Sequence, residues 1–123
     1  MKLLIADDDR VLTHLLSSRL RTMGWTVTVA FDAMQAMMFA MRVQPDVILL
    51  DINMPGGTGV EALKKLKASN RTSMIPVVIL SGSIESGDEV MVRELGAEGF
   101  LRKPADIDAI HSALCGLTGL QPV

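Results

Sequence analysis

Val47-Ile48-Leu49-Leu50-Asp51 is the stretch on which the fold turns: four branched apolar residues in unbroken succession, closed by a carboxylate. Strict alternation of apolar and polar residues would mark a strand with one face in water. A short continuous run instead suits a strand covered on both faces. Leu3-Ala6 and Val77-Leu80 have the same character, the first running into Asp7-Asp8 and the second into Ser81. All three read as central parallel strands.

Outward from these, Trp25-Ala30 and Gly99-Arg102 are weaker strand candidates, and segments of helical length lie near 9–23, 32–43, 58–68, 86–95 and 106–117. Five strand-then-helix units without an internal repeat predict a doubly wound α/β domain. Asp32 with Gln35, Thr58 with Glu61, and Ser86 with Glu89 have the spacing that satisfies the free amides of a first helical turn. Gly24 and Gly96 are the expected stops after the first and fourth helices.

With 123 residues, 49% of them hydrophobic, the chain has material for one core and no room for a second domain, so 1–123 is expected to be a single unit. A net charge of −2, spread without blocks, argues against direct nucleic-acid binding or a membrane patch. The single cysteine, Cys115, has no disulfide partner, and the apolar run after Met1-Lys2 is too short for a signal peptide or a membrane span. A reducing, cytoplasmic setting is expected.

The chemistry gathers at strand ends. Asp7 and Asp8 follow the first strand, Asp51 the third, Ser81 the fourth and Lys103 the fifth. In open parallel sheets ligands bind outside the carboxyl ends of the strands, where the winding direction reverses. One such residue is as often a plain loop or cap residue; five converging on one edge are harder to explain that way. Two carboxylates about 4–5 Å apart repel by roughly 3–4 kcal/mol at an effective dielectric near 20, so three need neutralising partners. Lys103 supplies one charge, and a hard divalent cation such as Mg²⁺ supplies the rest. Such a site favours phosphoryl transfer to a carboxylate, with Asp51 as nucleophile, Asp7 and Asp8 holding metal, and Ser81 donating to the product phosphate.

Leu4-Ile5-Ala6-Asp7-Asp8-Asp9, Pro45-Asp46, Asp51-Ile52-Asn53-Met54-Pro55 with Gly59, Leu80-Ser81-Gly82, Gly96-Ala97 and Phe100-Leu101-Arg102-Lys103-Pro104 together resemble, in order and spacing, the receiver domain of bacterial two-component response regulators, the CheY-like family. The resemblance spans the whole chain. It implies a flavodoxin-like (βα)5 fold with strand order 2-1-3-4-5. It makes Asp51 the phosphorylation site. Asp8, Asp51 and the backbone carbonyl of Asn53 become ligands of Mg²⁺, with Asp7 acting mainly through bound water and Mn²⁺ able to substitute. Ser81, Gly82 and Lys103 become phosphate contacts, Ser81 and Phe100 the switch pair, and Lys103-Pro104 a cis peptide. The implied partners are a sensor histidine kinase or histidine phosphotransfer domain and a downstream effector. The domain would catalyse its own phosphorylation and dephosphorylation without turning over an external substrate.

Where the family often has Thr, Tyr and Phe, this chain has Ser81, Phe100 and Ala105. The hydroxyl of the switch remains, its phenolic hydrogen bond is lost, and the fifth helix starts with less apolar surface. A phosphohydrolase reading is disfavoured because Asn53 stands where such enzymes need a second Asp. A nucleotide or flavin module is disfavoured because Asp7-Asp8-Asp9 would repel phosphate. The alternative is a receiver-like interaction module that is not phosphorylated. The end at Gly119-Leu120-Gln121-Pro122-Val123 is compatible with a stand-alone regulator and with a receiver continued by an effector.

Met34, Met38 and Met41 follow helical spacing one register from the expected buried stripe of Ala33, Ala36, Met37 and Ala40. They read as a wider buried face or as a soft patch for a partner or weak self-association. Val11, Leu12 and His14 lie where a histidine-containing phosphodonor would dock, although ordinary packing serves Val11 and Leu12 equally well. His14 and His111 lack a second ligand at zinc spacing and are expected at the surface. Cys115 is expected to be a small apolar side chain.

Overall fold

The run Val47–Asp51 forms strand β3, every residue of it buried. In the computed structural model, which describes residues 1–54, 58–82 and 88–119, the remaining strands are β1 (Lys2–Ala6), β2 (Thr26–Ala30), β4 (Val77–Ser81) and β5 (Gly99–Arg102). The helices are α1 (Arg10–Thr22), α2 (Ala33–Val43), α3 (Thr58–Ala68), α4 (Asp88–Glu94) and α5 (Ile107–Thr118). The five strands form one sheet in the order β2-β1-β3-β4-β5, every pairing parallel. This is the flavodoxin-like arrangement.

Successive strand residues point to opposite faces, and the two halves of the core follow that period. Leu4, Ala6, Ile48, Leu50, Val77 and Ile79 pack under Ala36 and Ala40 of α2, Leu63 and Leu66 of α3, and Val92 of α4. Leu3, Ile5, Leu49, Val78 and Leu80 pack under Leu16 and Leu20 of α1 and Ile110 and Leu114 of α5. Continuous apolar strands are needed because neither face meets water.

Local chemistry sets the helix ends. Asp9, Asp32 and Asp106 cap α1, α2 and α5, each carboxylate accepting an amide three residues on. Gln35 reaches back to the Phe31 amide at 2.8 Å, one residue before the cap. Gly24 and Gly96, at φ +101° and +107°, turn the chain after α1 and α4 in the left-handed region where a side chain is strained. Trp25 falls before β2, its amide bonded to Leu20 O at 3.1 Å, so it closes α1 instead of opening the strand. Pro55, Ser86, the side chain of Thr58 and residues 120–123 lie outside what is described. Among the described residues no helix is long and apolar enough to cross a membrane.

Candidate functional site

β1 and β3 are neighbours whose following segments leave to opposite faces of the sheet, and a crevice opens between their carboxyl ends. Asp7 sits there just beyond β1. Its amide donates to Ala30 O at 3.0 Å, tying the turn to the end of β2, and its own carboxylate accepts the Asp9 amide at 3.0 Å. Asp7 and Asp51 are buried, whereas Asp8 faces solvent. One carboxylate oxygen from each of Asp7, Asp8 and Asp51 lies within 4.8 Å of the others.

Lys103, on the turn after β5, reaches into this group: Nζ lies 2.8 Å from Asp7 Oδ2 and 3.4 Å from Asp51 Oδ2. Its amide donates to Ser81 O at 2.8 Å, which anchors the turn to the end of β4. The Lys103–Pro104 peptide is cis. Three carboxylates against one ammonium leave a formal charge of −2, and each carboxylate pair repels by about 3 kcal/mol at this spacing and an effective dielectric near 20. Burial raises the pKa of Asp51 and the charge of Asp7 adds to it, against the pull of the Asn53 amide and of Lys103. For Lys103 burial alone would favour the neutral amine, but the hydrogen bond to Asp7 and the charges of Asp51 and Asp7 outweigh it, and its pKa rises.

A divalent cation with a taste for hard oxygen fits this donor set. The residual charge matches it and the cluster contains neither thiolate nor imidazole. Arg10 begins α1 beside Asp8 and Asp9, yet its guanidinium is stacked 4.0 Å from the centroid of Phe31, a cation–π contact bridging the β1–α1 and β2–α2 turns.

Ser81 closes β4 and is fully buried, its hydroxyl accepting a hydrogen bond from Asn53 Nδ2 at 3.2 Å. Asn53 also donates its amide to Asp51 Oδ1 at 3.0 Å, so one residue touches both the acid and the hydroxyl. Gly82 lies against the stem of Lys103, where a Cβ would make ordinary contact. Gly59 differs: a Cβ there would collide with the Asp51 carbonyl oxygen and Ile52 Cα, so only glycine lets α3 come this close to the backbone of the acid. Phe100 is half-buried against the core under α2, α3 and α4, paired in register with Ile79, while Ser81 pairs with Arg102. Asp7, Asp8, Asp51, Asn53, Ser81 and Lys103 thus converge, with Gly82 at their edge and Phe100 two residues back along β5.

Three features go beyond the residue pattern. Two are the part played by the Asn53 side chain and the Arg10–Phe31 stack. His111, expected at the surface, is buried instead, accepting the Trp25 indole N–H at Nδ1 (3.0 Å) and touching Cys115. The signal for His111 was present: Ile107, Ile110, His111, Leu114 and Cys115 make an i, i+3, i+4, i+7, i+8 stripe on α5. His14 and Val11 are exposed, Leu12 packs against the core, and Cys115 is buried, which raises its thiol pKa.

Residues 3–115 match the family described as response regulator receiver domain. Over 117 residues the chain is 36% identical to the response regulator PleD of Caulobacter vibrioides, covering 95% of the chain and 26% of PleD. It is 40% identical over 103 residues to the transcriptional regulatory protein CpxR of Escherichia coli, covering 84% of the chain and 43% of CpxR. The chain therefore spans less than half the length of these relatives. Among solved structures, the receiver domain of the Francisella response regulator 1452 superimposes with a TM-score of 0.89 at 30% identity, covering 96% of each chain. The receiver domain of the Pseudomonas aeruginosa sensor histidine kinase PA1611, solved with a magnesium ion coordinated in its active-site cleft, gives 0.88 at 26% identity, covering 96% of this chain and 97% of that one.

Proposed function

The chain belongs to the family of response regulator receiver domains, and from that premise we propose that residues 1–123 act as one phosphoacceptor unit in which Asp51 takes a phosphoryl group from a phosphohistidine. The observation that carries this reading is the gathering of Asp7, Asp8 and Asp51 within 4.8 Å around the ammonium of Lys103, with negative charge left over.

A carboxylate oxygen of Asp51 attacks phosphorus, the phosphorus–nitrogen bond of the donor breaks, and the leaving imidazole keeps the electron pair and takes a proton. An acyl phosphate remains on Asp51. Asp51 is held for this by the β3 core behind it and by the Asn53 amide, which fixes one oxygen and leaves the other toward Lys103. Asp7, Asp8, Asp51 and the backbone carbonyl of Asn53 would hold Mg²⁺, and Mn²⁺ would suit the same oxygen set. When bound, the metal supplies charge neutralisation for the phosphoryl oxygens. The ammonium of Lys103 moves from the carboxylates to a phosphoryl oxygen, and Gly82 leaves that approach open.

The hydroxyl of Ser81 exchanges Asn53 for the phosphoryl group. Phe100, held in the core only by packing, follows into the space released, which alters the face a partner reads. The donor is a sensor histidine kinase or a histidine phosphotransfer domain in the cytoplasm, and the reader is a downstream effector. The unit acts without touching nucleic acid itself.

The test is intact-mass measurement after incubation with acetyl phosphate and Mg²⁺. A gain of one phosphoryl group, lost in Asp51→Ala and on chelation of the metal, supports the reading. No gain under conditions that label other receivers would identify a receiver-shaped interaction module instead.

A further inference from the structure

Between α2 and α3 runs an open groove of about 560 Å³, formed by Met34, Met37, Met38 and Met41 on one side and Ala62 and Lys65 on the other. Met34 is 81% exposed and Met38 38%, although small residues, Ala36 and Ala40, fill the buried stripe of the same helix. Thioether side chains are unbranched and polarisable, so such a groove can mould itself to an apolar ridge. From Met34 to Met41 the helix rises about 10 Å, the length over which a partner helix presents apolar residues at i, i+4 and i+7.

Charge selects among possible occupants. No acidic residue occurs in α2, Arg42 is exposed in its last turn, and Arg71 Nη2 donates to Met41 O at 3.1 Å, holding a guanidinium at that end of the groove. Lys65 lines the opposite wall, and the one lining carboxylate, Glu61, is already engaged. This face is cationic on a chain whose net charge is −2. A two-fold contact with a second copy would set the same cations against one another. A lipid surface calls for a convex apolar face, whereas this one is concave.

We propose that the α2–α3 groove docks an acidic amphipathic helix of a partner protein, its apolar ridge seated among the methionines and its carboxylates facing Lys65, Arg42 and Arg71. The probe is a fluorescein-labelled synthetic helix with Leu at i, i+4 and i+7 and Glu at the flanking positions, compared by anisotropy with a twin carrying Lys in place of Glu. The acidic helix binds at least about ten-fold tighter than its twin. Met38→Glu weakens it by a similar factor, and Lys65→Glu narrows the gap between the twins. Circular dichroism melting verifies that each variant folds, and the exposed Met34→Glu serves if Met38→Glu does not. Equal binding of the twins, or indifference to both methionine variants, overturns the proposal. So does capture by phosphatidylserine vesicles that Met38→Glu abolishes, which reassigns the groove to lipid. A dimer in sedimentation dissolved by Met38→Glu overturns it in favour of a second copy.

Discussion

At opposite edges of the sheet the chain builds two clusters from the same ingredients, lysine and carboxylate, and balances them differently. At the amino-terminal edge Lys67 Nζ donates to Ser73 O, Ile75 O and Glu98 Oε2, while Glu98 Oε1 accepts the Val77 amide. Every donor of the ammonium is used and the charges cancel. At the carboxyl-terminal edge Lys103 is shared by Asp7 and Asp51, with Asp8 alongside, and charge remains. A satisfied cluster ties secondary structure together; an unbalanced one is held ready for a ligand.

Substituting the two lysines should separate these roles. Lys103→Met lowers the rate of phosphoryl incorporation from acetyl phosphate by about 10²–10³-fold, the usual cost of one donor aimed at a transferring group. Equal labelling rates in the variant and the parent would remove Lys103 from the chemistry. Lys67→Met leaves labelling intact and costs about 1–2 kcal/mol in urea unfolding, a buried-pair loss discounted because Glu98 is a third exposed. A labelling defect there would erase the contrast between the two edges.

The smallest effect concerns Asp51 itself. Its folded pKa is raised, chiefly by burial, so the native state holds its proton more tightly than the unfolded chain and the ionised carboxylate costs stability at neutral pH. That cost is relieved as pH falls through the folded pKa. Without metal, Asp51→Asn therefore raises the melting temperature near neutral pH by about 3–5 °C, equivalent to roughly 1 kcal/mol, and the gain shrinks as the pH is lowered. The parent recovers the difference when Mg²⁺ is added and the variant does not. A lower melting temperature for the variant in metal-free buffer would show that the site is already balanced.

The two edges were unequally legible. Asp7, Asp8, Asp51 and Ser81 each stand at the end of a strand marked by its apolar run, and Lys103 follows the weaker candidate Gly99-Arg102, so strand identification places all five at one edge. The Lys67–Glu98 clamp joins a helix end to a strand start across 31 positions, with nothing periodic to announce it. Side-chain pairs were harder still: the Asn53–Ser81 bond depends on how two turns approach, and sequence offered only the backbone of Asn53. His111 differs again: lacking a second ligand at zinc spacing it reads as a surface residue, yet it belongs to the buried stripe of α5. The Trp25 indole makes that burial tolerable by satisfying one ring nitrogen. Gly59 was visible as part of a motif, but its necessity lies in how closely α3 approaches the Asp51 backbone.

Asp51, and no other member of the acidic cluster, is the proposed carrier of the phosphoryl group. Borohydride reduction of the acetyl phosphate-treated protein converts an aspartyl phosphate to homoserine, and peptide mass mapping locates it. Homoserine is expected at position 51 alone; homoserine at position 7 or 8, or an unaltered residue 51 in a phosphorylated protein, would refute Asp51 as the acceptor.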